Sequence, residues 1–223
     1  MAVLSANCLK LLAAAAMALD HAGLMLFPGA VWMRLLGRLA FPIFAFMIAE
    51  GCKFTRRRGR YVGTIALLAA VCQTVYFLFD GSLYLSVLVT FTLSILTIYT
   101  LDAVKARPGL PAFCGLGLAL LGVWWLNRVF TMDYGFWGCL VPVFASLPVH
   151  TRWDTIPCRV LSMGAGLLLL AIASGGIQYW SLLALPLLLC YSGKRGKWKM
   201  KYFFYIFYPA HLVILQGIQM LLG

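Results

Sequence analysis

Apolar residues run through this chain in blocks of 15 to 21, separated by short clusters rich in Lys, Arg, Gly and Pro. A bilayer core is crossed by roughly 20 helical residues, with about 17–25 the usual range. The pattern predicts nine spans: Leu9–Phe27, Val31–Ala49, Tyr61–Phe79, Leu83–Leu101, Leu110–Leu126, Tyr134–Val149, Ile156–Ala173, Ile177–Tyr191 and Tyr202–Leu222. No series of segments alternates at period two, so helices must satisfy the backbone in lipid. The sixth and eighth segments are short and carry Pro142, Pro148 and Pro186. They are predicted either to re-enter or to cross a locally thinned bilayer. The first block, from Leu9, is long enough to span and has no cleavage-like sequence after it, so it is read as a span and not a signal peptide. The expected fold is an all-α polytopic transmembrane helix bundle, with residues 1–223 as one transmembrane domain.

The cationic residues orient this series. With the N-terminus inside, fifteen of the eighteen Lys and Arg fall in inner loops or at inner span ends, and only Arg34, Arg38 and Arg128 fall outside. That bias is the positive-inside pattern and favours an odd number of spans, with the C-terminus outside. Trp124, Trp125 and Trp180 are expected near the outer interface.

Composition agrees. Of 223 residues, 63% are hydrophobic and 11% charged, with a mean hydropathy of +0.94. Soluble domains carry about 45–50% apolar and about 25% charged residues. An ordinary soluble enzyme, a disordered chain and a secreted disulfide scaffold are excluded. The net charge of +12 sits in the inter-span clusters, so it reads as topology and no nucleic-acid partner is expected. The seven Cys show no metal-ligand spacing and are read as buried free thiols, with no metal expected.

Six acids exist, and Asp20 is the one deep inside a span, followed by His21. A charge at the bilayer centre costs at least about 2.5–3.5 kcal/mol and normally has a partner. Asp20 lies about 10 Å below the outer end of the first helix, at about 1.5 Å per residue. After the tight FPGA turn, Arg38 lies equally deep in the second helix, and Arg34 shares its face one turn higher. Asp20, His21, Arg34 and Arg38 can therefore meet in one hairpin. Adjacent helical residues point about 100° apart, so the expected division pairs Asp20 with Arg38 and leaves His21 facing a cavity. A structural ion pair that locks the hairpin is the competing reading. In the last span, His211 lies near the midplane with Tyr208 at i−3, Gln219 two turns on and Pro209 between. A simple interhelix hydrogen bond competes with a functional role there. His150 is expected to be solvated. The loop GCKFTRRRGRY, with Glu50 before it, can hold phosphates through Arg56, Arg57, Arg58 and Arg60. It can equally be a topology anchor with Glu50 neutralising the run. Gly23, Gly37, Gly63, Gly115, Gly117, Gly164 and Gly166 are read as helix-packing positions.

Four blocks in order, ALDHAGLMLFP, RLLGRLAFPIFAFMIAEGCKFTRRRGRY, DYGFWG and YFFYIFYPAHLVIL, resemble the TraX family, named for a conjugation protein that acetylates the pilin N-terminus. That family is similar to multi-pass membrane acyltransferases, a fold-level analogy. The third span departs from the family pattern, with Gln73, Thr74 and Val75 where Gln-x-Pro is expected. The resemblance implies a bacterial inner-membrane acyltransferase. Its donor would be acetyl-CoA and its acceptor a membrane or exported amine or hydroxyl. It implies Asp20, His21, Arg34, Arg38, Glu50, Asp133 and His211 as site residues. In that scheme His21 is the base and His211 a second base or transient acyl carrier. Arg34 and Arg38 face the oxyanion, Asp133 and Tyr208 contact substrate, and the basic inner loops hold CoA. A proton-coupled transporter and an assembly factor of a conjugation or secretion apparatus remain open on the residues alone.

Overall fold

The computed structural model describes residues 3–197 and 200–222. Its elements are α1 (Ala6–Met25), α2 (Val31–Gly37), α3 (Ala40–Phe54), α4 (Arg58–Asp80), α5 (Val87–Ala106), α6 (Leu110–Val129), α7 (Gly135–Ser146) and α8 (Ile156–Ser174). A 3-10 stretch (Gly176–Leu183), α9 (Ala184–Leu189) and α10 (Lys201–Leu222) follow. Among the described residues there is no strand, only two isolated bridges, Leu4 with Tyr191 and Leu85 with Met132. Among the described residues seven helical segments are long and apolar enough to cross a membrane, α2 and α3 counting as one; α7 and the 3-10–α9 segment are shorter.

Two predicted boundaries move for visible reasons. The second span breaks at Arg38–Leu39, between α2 and α3. Pro42 has no N–H for the carbonyl of residue 38, and its ring crowds that carbonyl, which favours a break there. The fourth span begins at Val87, four residues later than predicted, because Leu85 pairs with the 131–133 segment (Leu85 N to Thr131 O and Asp133 N to Leu85 O, both 2.9 Å).

The chain divides into two compact units, Met1–Met47 with Ala171–Gly223, and Ile48–Leu170. In the second unit α7 is tied to α5 in matching order. Thr90 Oγ1 donates to Asp133 O at 2.7 Å and Ser94 Oγ to Cys139 O at 2.7 Å. Lys105 Nζ then donates to Ser146 O at 2.7 Å and Val149 O at 3.1 Å. These bonds span about 22 Å of α5 at about 1.5 Å per residue. The short sixth segment, with its end turns, therefore runs about as deep as its neighbour.

In the first unit the eighth segment gains length by winding. A 3-10 helix rises about 2.0 Å per residue. From Gln178, beside Arg38, the segment reaches Tyr191, whose strand-like bridge to Leu4 lies at the start of α1. Val3 N and Leu4 N both donate to Cys190 O at 2.9 Å. Ala6 N donates to Lys194 O at 2.9 Å, so the basic loop after α9 satisfies the first turn of α1.

The packing role expected of the glycines holds at some positions and not others. A Cβ on Gly166 would meet Phe144 at 2.9 Å, and one on Gly23 would meet Met33 at the same distance. Gly63, Gly115 and Gly117 have nothing within 4 Å. α6, which carries Gly115 and Gly117, buries only Val123. The thiols likewise divide: Cys52, Cys72 and Cys139 are buried, while Cys8, Cys114 and Cys190 are exposed.

Candidate functional site

Helices α1 and α2 form the expected hairpin, closed by Ala30 N donating to Phe27 O at 2.9 Å. Asp20 faces both arginines. Arg38 Nη2 donates to Asp20 Oδ1 at 3.0 Å and to Oδ2 at 2.9 Å. Arg34 Nε stands 3.0 Å from Oδ1 as an ion pair, though its N–H is not aimed at the oxygen. The Asp20 and Arg38 side chains are only 14% and 12% exposed, so neither charge could stand here alone. Asp20 is the sole acid in the sequence of this unit, so two guanidiniums share one carboxylate.

Gly37 makes this approach possible. A Cβ there would lie 2.3 Å from Asp20 Cβ and 2.6 Å from Oδ1. Cβ of Asp20 is fixed by its backbone and cannot swing aside. Gly37→Ala is expected to part the two helices and lower stability by about 1–3 kcal/mol, the range for overpacked sites. The thermal midpoint in detergent checks this; an unchanged midpoint would mean the hairpin absorbs the methyl group freely.

His21 points elsewhere on α1, as the 100° offset requires, and finds α10. Its Nδ1 lies 2.8 Å from His211 Nε2, and the rings stack with centroids 5.0 Å apart. His211 Nδ1 lies 3.0 Å from Phe207 O. Phe207 also stacks on His211, with centroids 5.3 Å apart, and Tyr208 meets it edge-on at 5.6 Å. The tautomers follow from the partners. A carbonyl only accepts, so His211 carries its proton on Nδ1 and its Nε2 is a lone pair. That lone pair accepts from His21 Nδ1–H, which leaves His21 Nε2 as the basic nitrogen of the pair. The carbonyl engaged is Phe207's, not the one released one turn before Pro209. Gln219 is exposed and the described bonds of His211 do not involve it.

Gln178 was not singled out from the sequence. Its Oε1 accepts from Arg38 Nη1 at 3.4 Å. The available signal was a glutamine and a serine within the apolar IQYWSLL.

The remaining candidates belong to the second unit. Asp133 sits in the loop before α7, where Tyr84 Oη donates to its Oδ1 at 3.2 Å. The next residue, Tyr134, takes a left-handed φ of 61° and sets the loop's direction. Glu50 is buried and pairs with Arg159 of α8, whose Nε also donates to Ala145 O at 3.2 Å. Its described ion pair is thus made across the fold and not with the arginine run that follows it. Arg56, Arg57 and Arg60 are exposed. Arg58 Nη2 donates to Asp102 Oδ2 at 2.9 Å and its guanidinium lies over the Tyr99 ring at 4.7 Å. Lys53 Nζ binds Asp154 Oδ1 at 2.8 Å. Burial pushes the Asp154 carboxyl up, but the Lys53 bond and the His150 N–H outweigh it and hold it below its ordinary value. His150 is exposed, with a left-handed φ of 63°. Of the loop cations used for orientation, Lys199 and the Lys201 side chain lie outside the described residues. Among the described residues no three His, Cys, Asp or Glu side chains could hold a metal ion.

Comparison with known proteins places these residues in context. Residues 5–219 match the family model described as TraX protein. A protein of Dichelobacter nodosus described as the probable fimbrial assembly protein FimC, serogroup H1, is 28% identical, with 98% of this chain and 97% of that protein covered. An uncharacterized protein of Rickettsia prowazekii is 27% identical over 70% of this chain and 60% of its own length. No solved structure matches.

Proposed function

The chain belongs to the TraX family, and we propose that it is a nine-pass bacterial inner-membrane acyltransferase that moves the acetyl group of acetyl-CoA onto an exported or membrane-bound amine. The observation that carries this reading is the His21–His211 pair, whose hydrogen-bond order leaves one basic nitrogen, on the residue that follows Asp20 along α1, and Asp20 holds the half-buried arginine pair. Acyl transfer needs those two things, a base for the acceptor proton and positive charge for the oxyanion.

In this mechanism the acceptor amine attacks the thioester carbonyl and His21 Nε2 takes the amine proton. The new imidazolium passes its Nδ1 proton toward His211 Nε2, which spreads the charge over two rings. Arg34, with Arg38 and Asp20 fixing its place, faces the tetrahedral oxyanion. The C–S bond then breaks and the CoA thiolate recovers the proton. Tyr208 holds the His211 ring edge-on, and Asp133, in the second unit, is a candidate acceptor contact. Arg56, Arg57 and Arg60 receive the phosphates of CoA at the inner face. Glu50 and Arg58, already ion-paired, position that end of α3 and α4. The nine passes rest on the depth of α7 and of the 3-10–α9 segment, and the inside N-terminus on the Lys and Arg bias. The fimbrial-assembly description of the Dichelobacter relative suits an exported pilin-like N-terminus as acceptor.

The test is the purified full chain in detergent, heated with acetyl-CoA, CoA or ATP, and assayed for transfer of one acetyl group to a peptide N-terminus. A ligand at 100 times its Kd stabilises by about 2.7 kcal/mol. Stabilisation by acetyl-CoA and CoA but not ATP, with a singly acetylated product, is the expected outcome. The relative's description also suits a non-enzymatic assembly factor. Full complementation by an Asp20→Asn, His21→Gln double variant would establish that alternative and end the transferase reading.

A further inference from the structure

We propose that the 3-10 stretch Gly176–Leu183 carries a binding subsite for an oxygen atom of the acceptor, a carbonyl or carboxylate close to its reacting amine, held by Gln178 and Ser181 beside Arg38. The naming of the ligand as an acetyl acceptor rests on the transferase reading; the subsite itself rests on the following geometry.

Gln178 is 5% exposed and Ser181 fully buried. Gln178 Nε2 and Ser181 Oγ have no hydrogen-bond partner among the described residues. An unmade bond of this kind costs about 1–3 kcal/mol. Native folds leave such atoms where a ligand, an ion or a water completes them. The two residues are three apart, and in a 3-10 helix positions i and i+3 eclipse. They therefore form one polar edge on an otherwise apolar segment.

The chemistry of that edge is determined. Arg38 has only donors, so the Gln178 atom it meets must be the amide oxygen. The Gln178 NH2 then points away from Arg38 as a pure donor. The Ser181 hydroxyl adds a second donor, and the local charge is positive, with Asp20 set against Arg34 and Arg38. Such a set takes an oxygen acceptor and repels an ammonium group. The acceptor's amine is left to His21.

The segment is also built to shift. Runs of 3-10 helix beyond 3–4 residues are uncommon and mark hinges or strain; this one has eight. Gly175, immediately before it, and Gly176, its first residue, take positive φ values of 68° and 55°. With both polar atoms shut from solvent, a ligand reaches them when this stretch swings on that glycine pair.

The test compares three amines on the purified full chain: a dipeptide amide, a free amino acid and an alkylamine with no oxygen. Each is used as an acetyl acceptor and, separately, as a thermal stabiliser without acetyl-CoA. Wild type is expected to prefer an oxygen-bearing amine by at least about tenfold in kcat/KM, the worth of one or two net hydrogen bonds. Preference for the dipeptide amide identifies a peptide carbonyl as the ligand group; preference for the amino acid identifies a carboxylate. Ser181→Ala is expected to fold with an equal or higher thermal midpoint, because it removes an unpaired buried hydroxyl, and yet to lose most of the preference. Gln178→Ala should lose it too. Transfer with no preference, or a preference untouched in both variants, would overturn the subsite while the transferase reading stands. If wild type acetylates none of the amines, the transferase reading fails and stabilisation decides the subsite. A shift from the oxygen-bearing probes that Ser181→Ala abolishes upholds it, and no shift overturns it.

Discussion

Alanine at His21 is expected to lower acetyl transfer about a thousandfold while the protein keeps its thermal midpoint within a few degrees. General-base catalysis contributes typically about 10²–10⁴-fold, and His21 Nε2 is the free basic nitrogen of the His pair. His211→Ala should cost less, about ten- to a hundredfold. It removes the group that fixes the His21 tautomer and shares its charge, but not the base itself. His211→Gln separates these roles further. A glutamine oxygen can still accept from His21 Nδ1–H, so part of the orienting effect should return without any charge sharing. The order wild type, His211→Gln, His211→Ala, His21→Ala in kcat at saturating acetyl-CoA is therefore the expected series. If His211→Ala proves worse than His21→Ala, the proton runs the other way, and His211 becomes the base or the acyl carrier. Full activity in both alanine variants would remove the pair from the chemistry.

The parts of this site differ in how readable they were, and the difference is geometric. Asp20 and Arg38 could be matched from sequence because a tight turn joins their helices, so counting residues from the turn gives depth on both sides. His21 and His211 are 190 residues apart, and no count along the chain says that α1 and α10 touch. Gln178 was hidden by distance along the chain, 140 residues from the Arg38 it meets. Gln178 and Ser181 fall about 60° apart on an α-helix and stack on one edge of a 3-10 helix, so the winding tightens a pairing that spacing alone allowed. The break that ends α2 at Arg38 was visible in Pro42, one turn downstream, but its effect on the arginine was not drawn. Hydropathy located all nine apolar segments because lipid imposes the same demand on each. It marked two of them as short but not how far they reach, because rise per residue and end turns are tertiary outcomes. Small residues were the weakest guide. A Cβ on Gly37 would strike Asp20 while one on Gly115 or Gly117 would meet open space, and nothing in the sequence around them marks the difference.

Arg159→Met should be among the most damaging changes in the second unit, lowering stability by about 3–5 kcal/mol, the range for breaking one side of a buried ion pair. Arg159 is 1% exposed and Glu50 7%, so neither has water to fall back on. The substitution also removes the Nε bond to Ala145 O, which braces the proline-containing helix α7. Methionine fills the volume, so the loss reports charge and not a cavity. Glu50→Gln should cost less, because an amide still offers Arg159 an oxygen. The double change Glu50→Leu, Arg159→Met is the discriminating member of the set. Replacing both partners by apolar groups removes the uncompensated charge, and such swaps are often neutral or stabilising. A double variant that recovers most of the single variant's loss and still gains thermal stability from CoA would establish Glu50–Arg159 as a structural lock and clear Glu50 of contact with CoA. If the double variant refolds to wild-type stability but no longer gains thermal stability from CoA, the pair is part of the CoA site. Stability and ligand shift measured on the same four proteins separate these outcomes without reference to transfer activity.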